Sequence, residues 1–447
     1  MRIGKAAIMR KLLIGVLLLV ARPVHAQEPL HDLDQPRSYS GPPLTLSEAL
    51  REARDKNPDL IALRRQFESI GFRSAEQRFL APPTVEAQIW QWPINTLNPA
   101  NANMYMFMAS QDIPGRGKRA LRAAAAGKES DLAEADIAVR AQEILNGVKQ
   151  RYAELFLARR SIDVHLASVG VLRQLADISQ AKYAAGRISQ QDVLKAVMEL
   201  SRVHDDVITF EEQADLAAAR LNTMLDREAD APIGPLTEPR EQILTASVDA
   251  LQRLAIEHHP ELARMRVQIG RAQAGLAVTR QEYKPDFSVQ AGYLLMPHVT
   301  DAWLAKVAVT WPRAPWSRGA IDARVAGANA EVDASTARLR TVERAVRLSV
   351  QDAYIRVKAA ERRAGLLRTT ILPQSRQILD VSRIGYQTDR LEFLALVDNE
   401  RTLLGAELEY SRAVSDLEQA TADLEQATGS ELTTDMRTPV DAGEVGR

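Results

Sequence analysis

An internal duplication constrains this chain more than any other feature. Asn57-Pro58-Asp59-Leu60 returns as His259-Pro260-Glu261-Leu262, Pro83 and Gln88 return as Pro285 and Gln290, and Tyr152 returns as Tyr354, at a step of 202 residues. Tyr183, Arg187 and Leu221 return as Tyr386, Arg390 and Leu424, one residue out of that register. An ordered series of matches at one spacing means two copies of one structural unit. The copies run over residues 46–226 and 248–429. An extension at 27–45 precedes them, a Pro- and Gly-bearing linker at 227–247 joins them, and a polar tail at 430–447 follows, expected to be disordered.

Each copy reads helix, strand, strand, very long helix, shorter helix. Thr45 or Ser47 can cap a short first helix, and Asn57-Pro58 starts the next, which must stop before Pro82-Pro83. Two alternating segments, 84–92 and 104–113, flank a Pro- and Asn-rich loop as the strands of a hairpin would. From Pro114 to Pro232 there is no proline, and the run is rich in Ala, Leu, Glu, Gln and Arg, all strong helix formers. Ala141, Val148, Leu155, Ile162, Val169 and Ala176 recur every seventh residue, a coiled-coil period. A second stripe, Leu145, Tyr152 and Leu166, is interrupted by Arg159 and Arg173. The one break is Ala184-Ala185-Gly186, which reads as the turn of a helical hairpin. In the second copy Val346, Val350, Ala353, Val357, Ala360, Ala364, Leu367 and Ile371 keep a 4-3-4-3 spacing, and Pro373 is expected to kink or tighten that helix.

The second-copy strands alternate cleanly. One face carries Phe287, Val289, Ala291, Tyr293 and Leu295, then Trp303, Ala305, Val307, Val309 and Trp311; the other carries Ser288, Gln290, Gly292, Lys306 and Thr310. Apolar outside and polar inside is the pattern of a membrane barrel, with Trp303 and Trp311 as its aromatic girdle. A soluble sheet with one buried face fits the spacing equally well. Four strands cannot close a barrel alone, and lipid tolerates no open edge, so the membrane reading demands oligomerisation; three chains would supply twelve strands.

The N-terminus narrows the location. Arg2, Lys5, Arg10 and Lys11 precede an apolar run from Leu12 to Ala21 and the small-residue ending Val24-His25-Ala26. That order is a secretory signal peptide, residues 1–26. Without it the chain carries 52 basic and 58 acidic residues, a net −6, which argues against a general nucleic-acid binder. There is no cysteine, hence neither a disulfide nor a lipidated cysteine.

With these features the sequence resembles the TolC family of outer-membrane efflux channels across nearly the whole mature chain. The residues that carry the resemblance are Leu44-Thr45-Leu46-Ser47-Glu48-Ala49-Leu50, Asn57-Pro58-Asp59-Leu60, the duplication, and the turns Tyr183-Ala184-Ala185-Gly186-Arg187 and Tyr386-Gln387-Thr388-Asp389-Arg390. Ser110-Gln111-Asp112-Ile113-Pro114-Gly115-Arg116-Gly117-Lys118-Arg119 is similar to the strand exit of the CzcC-like branch, which serves heavy-metal pumps. The resemblance implies a homotrimer with a twelve-stranded outer-membrane β-barrel, in contact with outer-membrane lipid, and a long periplasmic α-barrel. It implies work with a periplasmic adaptor and an inner-membrane RND-type pump, and no enzymatic activity. The tips near Tyr183, Gly186, Arg187 and Asp389 would meet the adaptor, while Asp192, Tyr386, Arg390 and Asp398 would form the periplasmic gate. The position of the family's gate arginine is Leu391 here, with Arg390 adjoining it, and one of two entrance aspartates is replaced by Ala395. A soluble periplasmic coiled-coil scaffold or adaptor is the alternative; it explains the helices but not the Trp-flanked strands.

Other groups carry less. Met104, Met106 and Met108 share one strand face, and thioethers suit Cu(I), but packing explains methionine more often. His258-His259 lacks partner ligands at convincing spacing, and His259 reads as the counterpart of Asn57. Gly115-Arg116-Gly117-Lys118 lacks the full phosphate-loop spacing. No cofactor, resident metal or nucleophile–base set is expected.

Overall fold

The computed structural model describes residues 39–238, 242–297 and 299–439. The expected signal peptide, the start of the expected extension and residues 440–447 therefore lie outside the described residues. The first copy comprises α1 (Leu46–Lys56), α2 (Pro58–Glu76), β1 (Thr84–Trp90), β2 (Met104–Ile113), α3 (Lys118–Ala184) and α4 (Gln190–Met224). A short β3 (Gln242–Leu244) precedes the second copy: α5 (Val248–His258), α6 (Pro260–Gln281), β4 (Phe287–Leu295), β5 (Ala302–Val309), α7 (Arg318–Leu366), α8 (Leu372–Gln387) and α9 (Phe393–Thr428). β6 (Arg437–Pro439) closes the described chain.

Local chemistry sets the element ends. Thr45 caps α1 in a reciprocal capping box with Glu48. Asn57 accepts the Asp59 N–H at the start of α2, and in the second copy His259 Nδ1 accepts the Glu261 N–H at 3.2 Å. His259 is thus a helix cap, and burial holds its pKa below the usual histidine value. α3 spans 67 residues, about 100 Å at ~1.5 Å per residue.

The heptad stripe becomes the core. Val148, Leu155, Ile162 and Val169 are buried, as are Val346, Val350, Ala353 and Val357 on α7. α3 packs on α2 and α6 towards the sheet and on α4 and α9 towards the other end; α7 packs on α6 and α9. The shorter helices meet end to end between the long ones. Asn57 Nδ2 donates to the carbonyl of Met224, where α4 ends and α2 begins, and Gly429 abuts the backbone of His259 where α9 ends and α6 begins. The four helical rods so formed stand side by side for the length of the molecule.

Arg159 interrupts its stripe to hold the linker: it is buried and donates to the carbonyls of Ile233 and Gly234, fastening the linker to α3. Two expectations need correction. Pro373 does not tighten its helix. The turn before it, Leu367–Ile371, widens to a π-helix in which Leu372 N–H reaches Leu367 O, because proline cannot donate and its ring crowds the carbonyl four residues back. The tail is ordered as far as Pro439, since β6 pairs antiparallel with β3 and Leu432 is buried.

The four long strands form one antiparallel sheet in the order β1-β2-β4-β5. No described helix is long and apolar enough to cross a membrane.

Candidate functional site

The sheet end comes first. The register Ala87↔Phe107, Phe107↔Tyr293 and Tyr293↔Trp303 puts every odd-numbered strand residue on one face. That face is apolar and open in the single chain: Val85 is 79% exposed, Val307 69% and Trp303 81%. The even face carries Glu86, Gln88, Ser110, Gln290 and Lys306. An exposed apolar sheet face opposite a polar one is the surface a lipid-embedded barrel wall needs. Among the described residues both outer strands, β1 and β5, have a free edge, and alternation along β1-β2-β4-β5 leaves them antiparallel to each other. β5 of one copy can therefore pair with β1 of another in the same antiparallel sense. β5 ends at Val309, so Trp311 lies two residues past the strand, stacked edge-on against Trp316 at 6.3 Å. Trp316 escaped the sequence reading because it follows the strand and breaks its period.

Strand and helix join through the Pro114–Lys118 turn. Asp286 Oδ1 accepts the Gly115 N–H at 2.7 Å and its Oδ2 accepts Lys118 Nζ at 2.8 Å. A Cβ on Gly115 would sit 2.3 Å from the Pro285 carbonyl, and Gly117 has φ +87°. The Gly-Arg-Gly-Lys stretch therefore locks the two copies together where the sheet meets the helices. It is not arranged as a phosphate cradle.

At the far end lie the two helical turns. Gly186 has φ +70°, and Arg187 N–H reaches back to Lys182 O. Asp389 has φ +59°, and Arg390 N–H reaches back to Gly385 O. Both are the same six-residue C-cap, which puts its left-handed residue one place before the returning N–H. Asp is a costlier left-handed residue than Gly, and its carboxylate shows why it stands there. Asp389 accepts Lys182 Nζ at 2.6 Å and Arg187 at 3.3 Å, both from the sister turn. Hydrogen bonding from Lys182 and its charge hold the Asp389 carboxyl below its usual pKa. Lys182 also donates to Tyr386 O at 2.5 Å and lies 4.1 Å from the Tyr386 ring centroid.

The remaining residues named from the sequence sit at this same end, in different surroundings. Tyr386 is buried, with its hydroxyl 3.1 Å from Ser179 Oγ, whereas its repeat mate Tyr183 is exposed. Asp192, in the first turn of α4, accepts Ser189 Oγ at 3.0 Å. Within one chain it makes no link to Tyr386, whose hydroxyl is turned inward. Arg390 lies in the turn and Asp398 in the second turn of α9, both exposed. Lys182 and Ser179 were missed: a lysine beside Tyr183 reads as an ordinary last-turn cation. Higher up, Glu199 on α4 forms a two-pronged ion pair with Arg401 on α9, and Ser168 donates to the buried Glu400 at 2.7 Å. Burial pushes the Glu400 carboxyl above its usual pKa.

Comparison with known proteins agrees with this architecture. The family model described as outer membrane efflux protein matches twice, over residues 49–227 and 251–430. The cobalt-zinc-cadmium resistance protein CzcC of Cupriavidus metallidurans is 23% identical over 84% of this chain and 87% of its own length. Among solved structures, CusC superposes with a TM-score of 0.73 at 14% identity, covering 86% of this chain and 92% of that one. The outer membrane protein VceC of Vibrio cholerae gives 0.69 at 17% identity over 86% and 96%, and the MtrE channel of Neisseria gonorrhoeae 0.69 at 15% over 88% and 91%. With two family matches spanning both copies, the chain belongs to the outer membrane efflux protein family, and it is an outer-membrane channel subunit of an efflux pump with a large periplasmic helical part, not an enzyme.

Proposed function

We propose that three copies close into one duct that carries heavy-metal cations from an inner-membrane RND-type pump and a periplasmic adaptor to the cell exterior. The observation that carries the reading is the four-stranded sheet with two free, mutually antiparallel edges and an exposed apolar face. Three such sheets give twelve strands, an even number within the range of closed membrane barrels. The helical part supports the same closure. Its rods run from α4 through α3 and α9 to α7 and α8. The two outermost rods leave apolar residues exposed: Leu194, Val197 and Ile208 on α4, and Ile378, Val381 and Ile384 on α8. Two different surfaces that meet head to tail around an axis form a ring. The metal substrate is supported by the kinship with a cobalt-zinc-cadmium resistance protein.

In this reading the exposed tips around Tyr183, Gly186, Arg187 and Asp389 receive the adaptor. Asp192, Tyr386, Arg390 and Asp398 sit at the narrow periplasmic mouth, and three-fold symmetry turns Asp398 into a ring of three carboxylates. Such a ring concentrates cations at a low-dielectric opening. An adaptor that binds the open tips better than the closed ones shifts the gate by that difference.

Three measurements test the proposal. Cross-linking in detergent should trap a trimer; a clean monomer at high concentration in several detergents refutes closure. A deletion strain should become sensitive to cobalt, zinc or cadmium and recover with the intact gene. In planar bilayers Asp398→Ala should lose cation selectivity and block by trivalent cations, and an unchanged channel in an intact trimer moves the gate elsewhere.

A further inference from the structure

Three of the eight methionines in the mature chain fall on one strand, at alternate positions, on the polar face of the sheet. Met104 stands opposite Trp90, Met106 between Gln88 and Leu294, and Met108 between Glu86 and Gly292. Their neighbours on that face include Ser110, Gln290 and Lys306. The continuous apolar face of the sheet is the other one; on this face Trp90, Leu294 and Leu304 stand among the polar residues. The sulfur of Met108 is engaged as a polar atom: Gln290 Nε2 donates to its Sδ at 3.4 Å. Gly292 leaves the space for it, since a Cβ there would sit 2.9 Å from Met108 Cγ. Met296 directly follows β4; continuing the Tyr105↔Leu295 register by one step sets it opposite Met104. Among the described residues no group of three His, Cys, Asp or Glu side chains is placed to hold a metal ion.

We propose that Met104, Met106 and Met108, with the Glu86 carboxylate beside them, form a thioether site for a soft monovalent cation, Cu(I) or Ag(I), on the inner wall of the barrel. Alternate residues of a strand lie about 6.7 Å apart, and methionine's three rotatable bonds let neighbouring sulfurs turn to one ion. Thioether sulfur selects soft cations over zinc or cobalt. Glu86 supplies negative charge that neutral thioethers lack. Repeated rungs along the exit path act as a relay of weak sites, because a conduction site must release its ion as readily as it takes it up. The proposal goes beyond divalent metal export and rests on the polar face being the lumen.

The test separates those two claims. The chain has no cysteine, so Met106→Cys and Val307→Cys can be labelled singly with a charged maleimide in liposomes. Labelling of Met106→Cys but not Val307→Cys upholds the lumen; the reverse overturns the barrel reading and the site with it. Ag(I) binding to the full-length detergent-folded protein in chloride-free buffer then tests the site itself, by equilibrium dialysis and X-ray absorption at the silver edge. Wild type should show silver–sulfur scattering. The combined Met104→Leu, Met106→Leu, Met108→Leu variant conserves volume, which cores tolerate, and should lose at least tenfold in Ag(I) affinity with its assembly intact. Met198→Leu, exposed on α4, should bind as wild type does. Undiminished Ag(I) binding by the triple variant, or scattering from oxygen alone, refutes the site.

Discussion

Val307→Arg probes the outward face of the sheet most directly. Val307 pairs with Val289 on the exposed apolar face, four residues from Trp303. At ~3.3 Å per residue and a tilt of ~40° those four steps span about 10 Å of depth. With Trp303 at one rim of an apolar band ~25 Å tall, Val307 then sits near the midplane, where Arg costs about 2–4 kcal/mol. Since 1.4 kcal/mol is a factor of ten, the assembly equilibrium of each copy shifts by roughly thirty- to several-hundred-fold. The matched control is Ser110→Arg, which pairs with Thr84 and Gln290 on the polar face and meets water in a barrel lumen. The assay is the folded fraction in lipid vesicles against urea, read from the heat-sensitive mobility shift of the folded form. Val307→Arg should unfold at clearly lower urea while Ser110→Arg stays near wild type. Equal losses in the two variants, or none in either, would refute the assignment of faces.

Other outcomes follow from the helical part. Burial beside Leu244, Val357 and Leu432 pushes the Glu418 carboxyl up to about 6. The folded form therefore holds its proton more tightly than the unfolded one, and stability falls as pH rises from about 4.5 to about 6, then levels. Glu418→Gln should abolish that slope and raise stability at pH 7 by about 2 kcal/mol, at ~1.36 kcal/mol per pKa unit; a thermal melt series from pH 4 to 8 reads it, and a slope unchanged in the variant rejects the cause. His259→Asn should keep the α6 cap, as Asn57 does for α2, whereas His259→Ala should lose about 1 kcal/mol. Burial lowers the His259 pKa, so this cap's contribution holds above pH ~6.5 and fades as pH falls; chemical denaturation at two pH values measures both. Asp389→Gly restores at the second turn the residue found at Gly186, keeping the left-handed turn while removing the ties to Lys182 and Arg187. Resting single-channel conductance should rise, and a conductance equal to wild type shows that these ties do not hold the tips.

The architecture was legible from local and periodic signals. A proline-free run with a seven-residue apolar repeat leaves few outcomes other than a helix tens of residues long, and the break at Ala184-Ala185-Gly186 marks its end because a left-handed turn favours glycine. Strand alternation gave the two sheet faces, since side-chain direction in a strand depends only on parity. His259 was readable as a cap from its place before Pro260. What only the tertiary structure decided are relations between residues distant in the chain. The ties of Asp389 to Lys182 and Arg187 join turns about 200 positions apart. Arg159 looks like a flaw in its stripe until the linker carbonyls are brought to it, and Tyr183 and Tyr386, equal in the repeat, part company because only one faces the neighbouring helices. The tail acquires order because β3 offers it an edge. Local sequence sets how each segment wants to fold; which polar groups lose water, and which partners replace it, is settled only when the rods are packed side by side.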